Sequence, residues 1–146
     1  MVRYRSYRKG ALQLIGCHLI RRVTVTKYIL IVDDSEIIRL ATRHFLESQS
    51  GFKVCGEAVD GIDALEKASH LNPDLIILDI AIPRMIGIRY ILARSSRAVC
   101  RPFILFTWYA DAVQPEDIEA AGISAVISKT NPAALQSHVH SLLAVA

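Results

Sequence analysis

Residues 28–34 read YILIVDD, an apolar run from Tyr28 to Val32 that stops at Asp33-Asp34. A run without polar alternation suits a strand buried on both faces, and such strands belong to parallel sheets covered by helices on each side. The pattern recurs downstream. Leu75-Ile76-Ile77-Leu78 ends in Asp79, Phe103-Ile104-Leu105-Phe106 in Thr107, and Ala125-Val126-Ile127-Ser128 in Lys129, while Phe52 to Val59 reads as a further strand. Helical patterns fill the gaps. Ser35 is placed to cap a helix in which Ile37, Ile38, Ala41, Phe45 and Leu46 recur at helical spacing, with Gly51 beyond its end. Gly61 to His70 carries Ile62, Leu65 and Ala68, with Leu71 next in phase, before Asn72-Pro73 breaks the chain. A loop with Pro83 and Gly87 leads into a helix ending near Arg97. Ala110 to Ala121 is helical in composition, but Pro115 predicts that it is broken or starts late, and Gly122 suits its C-cap. Asn131 is expected to cap a last helix that has Pro132 at its first position. Strand and helix alternating five times predict an α/β fold: a parallel sheet doubly wound by five helices.

Composition narrows the class. The chain of 146 residues has room for one ordinary domain, and 52% hydrophobic with 21% charged residues excludes disorder throughout. No apolar run reaches the roughly 18 residues of a membrane span. Cys17, Cys55 and Cys100 are odd in number and lack metal-ligand spacing, which fits reduced thiols in a cytoplasmic protein. The net charge of +3 averages two unlike parts. Residues 1–27 hold Arg3, Arg5, Arg8, Lys9, Arg21, Arg22 and Lys27 and no acid, so all 14 acidic residues fall in 28–146, which is net acidic. The basic balance therefore argues for no nucleic-acid surface on the domain. Residues 1–27 are expected to be a disordered basic extension preceding a domain at 28–146. A short amphipathic helix with Leu12, Ile15 and Leu19 on one side is the other reading, whereas the apolar stretch before Gly16-Cys17 is too short for a signal peptide.

The polar residues that end the strands carry the chemistry. In an open parallel sheet the carboxyl ends converge on one edge, where ligands bind at the switch in strand order. Carboxylates gathered there repel one another, and a hard divalent cation such as Mg2+ relieves the repulsion with oxygen ligands. A hydroxyl and an ammonium nearby suit the oxygens of a phosphoryl group. One acid can then act as nucleophile toward phosphorus, which points to an aspartyl phosphate.

The stretches ILIVDDSEIIR (29–39), PDLIILDIAIPRMIGI (73–88), ILFTWYAD (104–111) and AAGISAVISK (120–129) resemble the receiver domain of bacterial two-component response regulators, over residues 28–146. The resemblance implies a flavodoxin-like sheet of order 2-1-3-4-5. It implies Asp79 as phospho-acceptor, Asp33 and Asp34 as the acidic pair serving Mg2+, the Ala81 carbonyl as a further metal ligand, and Thr107 and Lys129 as sensors of the phosphoryl group. It also implies a sensor histidine kinase or histidine phosphotransfer protein as donor and an unidentified protein as target. The face around the 110–121 helix, the last strand and the last helix is the expected output surface.

Two positions depart from that pattern. Trp108 stands after the threonine, where the family has a small residue; its indole can shield the phosphoaspartate, obstruct a donor or turn to solvent. Val126 stands where the family has Tyr or Phe, so a ring-burial readout is missing there. A haloacid-dehalogenase-like phosphatase would need an acid at Ala81, and a flavin site would need a phosphate loop after the first strand. A non-enzymatic phospho-accepting switch is therefore the expectation, with a phosphorylation-independent binding module as the alternative. His138 and His140, two apart on a helix, point to different sides and make no metal site.

Overall fold

The computed structural model describes residues 25–79 and 101–143. The chain runs β1 (Lys27–Val32), α1 (Glu36–Glu47), β2 (Phe52–Ala58), α2 (Gly61–Leu71), β3 (Leu75–Leu78), β4 (Phe103–Thr107), a 3-10 turn (Ala110–Ala112), α3 (Pro115–Ala121), β5 (Ala125–Ser128) and α4 (Pro132–Leu143). The strands form one sheet in the order β2-β1-β3-β4-β5, and every neighbouring pair is parallel. This is the flavodoxin-like order expected from the resemblance. Four α-helices lie among the described residues; the helix expected before Arg97 falls outside them, as does most of the basic segment 1–27.

Side-chain alternation along the strands splits the core in two. Ile29, Ile31, Leu75, Ile77, Ile104, Phe106 and Ile127 face one side, where they pack with Leu46 of α1 and with Leu135, Val139 and Leu143 of α4. Leu30, Val32, Ile76, Leu78, Phe103 and Leu105 face the other, against Ala64 and Ala68 of α2. Both faces of β1, β3 and β4 are thus buried, which is why their sequences are solidly apolar.

Local signals set the helix ends. Ser35 Oγ accepts the Ile38 N–H at 3.4 Å and caps α1. Asp60 does the same for α2 through the Ile62 and Asp63 N–H groups. Pro115 occupies the first turn of α3, so the helix starts there, as expected of a late start; the preceding residues form the 3-10 turn. Gly122 ends α3 at φ 67°, a left-handed conformation that costs glycine nothing sterically. One irregularity was not foreseen: the β1–β2 register slips between Ile29 and Leu30, which bulges β2 at Cys55.

Candidate functional site: an acidic crevice bridged by a lysine

Order 2-1-3-4-5 places the switch point between β1 and β3, which lead the chain away in opposite directions across the sheet. Their carboxyl ends deliver Asp33 and Asp79 side by side. The ladder continues into the site: the Asp79 N–H donates to Val32 O at 2.9 Å and the Asp33 N–H to Ala58 O at 3.0 Å. From the next pair of strands, the Lys129 N–H donates to Thr107 O at 2.9 Å. Backbone bonds among the five strands thus fix where these four residues sit.

The side chains meet through a buried ammonium. Lys129 Nζ donates to Asp33 Oδ2 and to Asp79 Oδ2, each at 2.6 Å. Asp33 and Asp79 are each 3% exposed and Lys129 8%. Asp33 is held from its other oxygen as well, because Oδ1 accepts the Ser35 N–H at 2.9 Å. Asp34 is exposed at the mouth, and one carboxylate oxygen from each of Asp33, Asp34 and Asp79 lies within 4.8 Å of the others. Among the described residues three carboxylates gather around one ammonium, and the carboxylate donor set is all oxygen. That combination fits a hard divalent cation such as Mg2+.

Thr107 is fully buried, and its Oγ1 accepts the Tyr109 N–H at 3.2 Å, closing the turn that carries Trp108. Trp108 is 54% exposed, with its ring centroid 6.0 Å from Lys129 Nζ. Of the options that the sequence left open for this indole, the structure shows it half in water and half against the site. Val126 is partly buried on the α2 face of the sheet. Ala81 lies outside the described residues. His138 and His140 are both exposed and bond separately, to Ala134 O and to Gln49 Oε1.

Sequence reasoning gave Arg39 no role, although it lies in the quoted 29–39 stretch. Its Nη1 donates to Asp33 O at 2.8 Å and its Nε to Glu57 Oε2 at 3.1 Å, so it clamps the turn that presents the acidic pair. Glu57 is held in turn by Arg43 Nε at 2.6 Å. Burial pushes the Glu57 carboxyl up, but the hydrogen bonds and charges of Arg43 and Arg39 outweigh it, and the group sits below its ordinary value of 4.5.

Residues 29–140 match the response regulator receiver domain family. The chain belongs to that family. Over 98 residues it is 37% identical to a protein-glutamate methylesterase/protein-glutamine glutaminase of Saccharophagus degradans, a match covering 67% of this chain and 28% of that protein. Over 111 residues it is 32% identical to the transcriptional regulatory protein LiaR of Bacillus subtilis, covering 73% of this chain and 50% of LiaR. The receiver chain thus spans half or less of these curated relatives. Among solved structures, the response regulator TrrA of Thermotoga maritima in complex with Mg2+ and BeF superposes with a TM-score of 0.68 at 29% identity, covering 81% of this chain and all of that one. A chain from the complex of the CheA3 P1 domain with CheY6 of R. sphaeroides gives 0.70 at 26% identity, covering 82% and 98%. No helix among the described residues is long and apolar enough to cross a membrane.

Proposed function

We propose that this receiver domain takes a phosphoryl group from the phosphohistidine of a sensor histidine kinase or a histidine phosphotransfer protein onto Asp79. It then signals, as a stand-alone response regulator of the cytoplasm, through contacts with a downstream protein. The observation that carries the reading is the buried Lys129 ammonium bridging Asp33 and Asp79, with Asp34 beside them at the mouth. An Asp79 carboxylate oxygen attacks phosphorus, the P–N bond to the donor imidazole breaks, and that imidazole leaves with the bonding pair and takes up a proton. Asp33, Asp34 and Asp79, with the Ala81 carbonyl that the family resemblance adds, would hold Mg2+. When bound, that ion supplies positive charge against the charge developing on the phosphoryl oxygens. Lys129 and the Thr107 hydroxyl then turn to those oxygens, which biases the domain toward its active arrangement. The domain we assign to this work is 28–146, with the basic segment 1–27 outside it. The chemistry is self-phosphorylation and its reversal, without turnover of a separate substrate.

The test is incubation with acetyl phosphate, with and without Mg2+, read by intact mass. One phosphoryl should be gained only with Mg2+ and not by Asp79→Asn. A second reading, a binding module that works without phosphorylation, is favoured by the exposed pair Trp108 and Tyr109 and by Val126. Failure to take up either phosphoryl or Mg2+ would favour it.

A further inference from the structure

On the face of the sheet covered by α1 and α4, the fold leaves an apolar cavity of about 320 Å³. Ile38, Ala41 and Phe45 line it from α1, Pro132 and Leu135 from α4, and half-exposed Trp108 from the end of β4. A cavity of about 150 Å³ already admits a benzene ring, so this one has room for about two branched aliphatic side chains. The apolar surface continues past the cavity onto the water side of α1. Ile37 and Leu40, one turn apart there, are 78% and 55% exposed. Charge frames this surface. Exposed Glu36 and Glu47 stand at the two ends of α1, about 17 Å apart at the helical rise, and Arg39 and Arg43 between them are turned to Glu57 of β2. The sequence of α4 contains no Asp, Glu, Lys or Arg.

We propose that this groove seats the chain's own basic segment, residues 8–22, with Leu12, Ile15 and Leu19 turned into it. The inference holds whether or not Asp79 carries a phosphoryl group. Leu12, Ile15 and Leu19 have the same spacing as Ile38, Ala41 and Phe45, so a helical segment laid parallel to α1 brings the three pairs level. In that register Arg21 falls beside Glu47, and Lys9 beside Asp34 and Glu36, so opposite charges meet at both ends. The chain enters from the matching side. The Lys27 N–H donates to Gly51 O at 2.8 Å, which starts β1 close to the end of α1, and Arg22 stands just three residues ahead of exposed Val25. The right-handed rule reserves the α2 face for connections that advance from β3 to β4 and from β4 to β5. That leaves the stretch ahead of β1 to cover the α1 and α4 face. An isolated helix this short is marginal in water, so packing its apolar side is what stabilises it. A short tether supplies about millimolar effective concentration, so a seat too weak for a separate peptide is filled within the chain. Seated there, the segment covers Trp108 and stands over α1 beside the mouth of the crevice.

Trp108 is the sole tryptophan of the chain, so its quenching by acrylamide reports whether the groove is covered. The full chain is compared with the triple variant Leu12→Asp, Ile15→Asp, Leu19→Asp, whose changes lie outside the packed core. A second variant, Ala41→Arg, puts a charge into the groove from an exposed position of α1. The urea midpoint checks that each remains folded. Trp108 should be quenched several-fold less in the wild type than in either variant. A zero-length carbodiimide should join the Lys9 amine to the Asp34 or Glu36 carboxylate within a chain of monomer mass, and both variants should lose that cross-link. Equal quenching in the wild type and the folded variants overturns the inference. So does a cross-link confined to species of twice the mass, which gives the groove to the segment of a second copy. Equal quenching together with sedimentation of the wild type alone on phosphatidylglycerol vesicles also overturns it, and assigns the segment to a membrane surface.

Discussion

Arg39 shows what a single residue can do for a site it does not enter. Its guanidinium joins Asp33 O to Glu57, so the turn at 33–34 is fastened to β2 and not only to its own helix. Partners that orient ligands in this way commonly contribute 10–100-fold to metal affinity. Arg39→Ala should therefore weaken Mg2+ binding about tenfold by isothermal calorimetry. Arg39→Lys should recover only part of it, because Arg39 reaches Glu57 and Asp33 O from two separate nitrogens of a planar fork, whereas lysine offers a single nitrogen. The strand-end acids were legible because each follows its apolar run directly in the sequence. Arg39 was not, since its second partner lies 18 residues away and meets it only once α1 packs on β2. Cys55 makes a contrasting residue-level case. Burial raises its thiol above the ordinary 9.0, against the opposing backbone hydrogen bond, and Sγ donates to Ile29 O at 3.4 Å. With a smaller thiolate fraction at neutral pH, it should react with a thiol reagent more slowly than a free cysteine, as timed by mass spectrometry.

At the scale of elements, α1 and β2 are joined by a small charged network on Glu57, with Arg43 at 2.6 Å and Arg39 at 3.1 Å. The Glu57 carboxyl lies below 4.5 in the folded chain, so the folded state binds its proton less readily than the unfolded one. The linked stability is therefore fully present above the unfolded value and is lost as pH falls through the lower folded value. Urea denaturation should show wild type exceeding Glu57→Gln by a constant margin from pH 5 to 7, with the margin shrinking below about pH 4.5. A margin independent of pH would remove the ionised Glu57 from this role. Element boundaries in the sequence were most legible where backbone chemistry is restrictive. Pro115 and Gly122 bracket α3 because one fixes φ and lacks an N–H while the other tolerates φ 67°. The bulge at Cys55 was illegible, since alternation along β2 alone does not state its register against β1.

For the whole molecule, the decisive feature is that four of the five strands aim polar ends at one edge while two apolar layers hold the sheet from either side. The cost of that arrangement is like charge collected in one crevice, where Lys129 bridges two of the three carboxylates. Global stability should therefore respond to a divalent cation in a way that simple salt cannot reproduce. Screening acts weakly on buried charges, whereas a ligand that binds only the folded state adds RT ln(1 + [L]/Kd). At about 100 times its Kd, Mg2+ should add about 2.7 kcal/mol to the free energy of unfolding, read by urea denaturation or as a rise in Tm of several degrees. NaCl at matched ionic strength should give little of this. Asp34→Asn is the informative variant, because Asp34 is exposed and its replacement leaves the core and the Lys129 bridge in place. Its stability without Mg2+ should stay within about 0.5 kcal/mol of wild type, and its gain with Mg2+ should largely disappear. If Asp34→Asn kept the full gain, the cation would be acting elsewhere on the molecule and the crevice would not be its site.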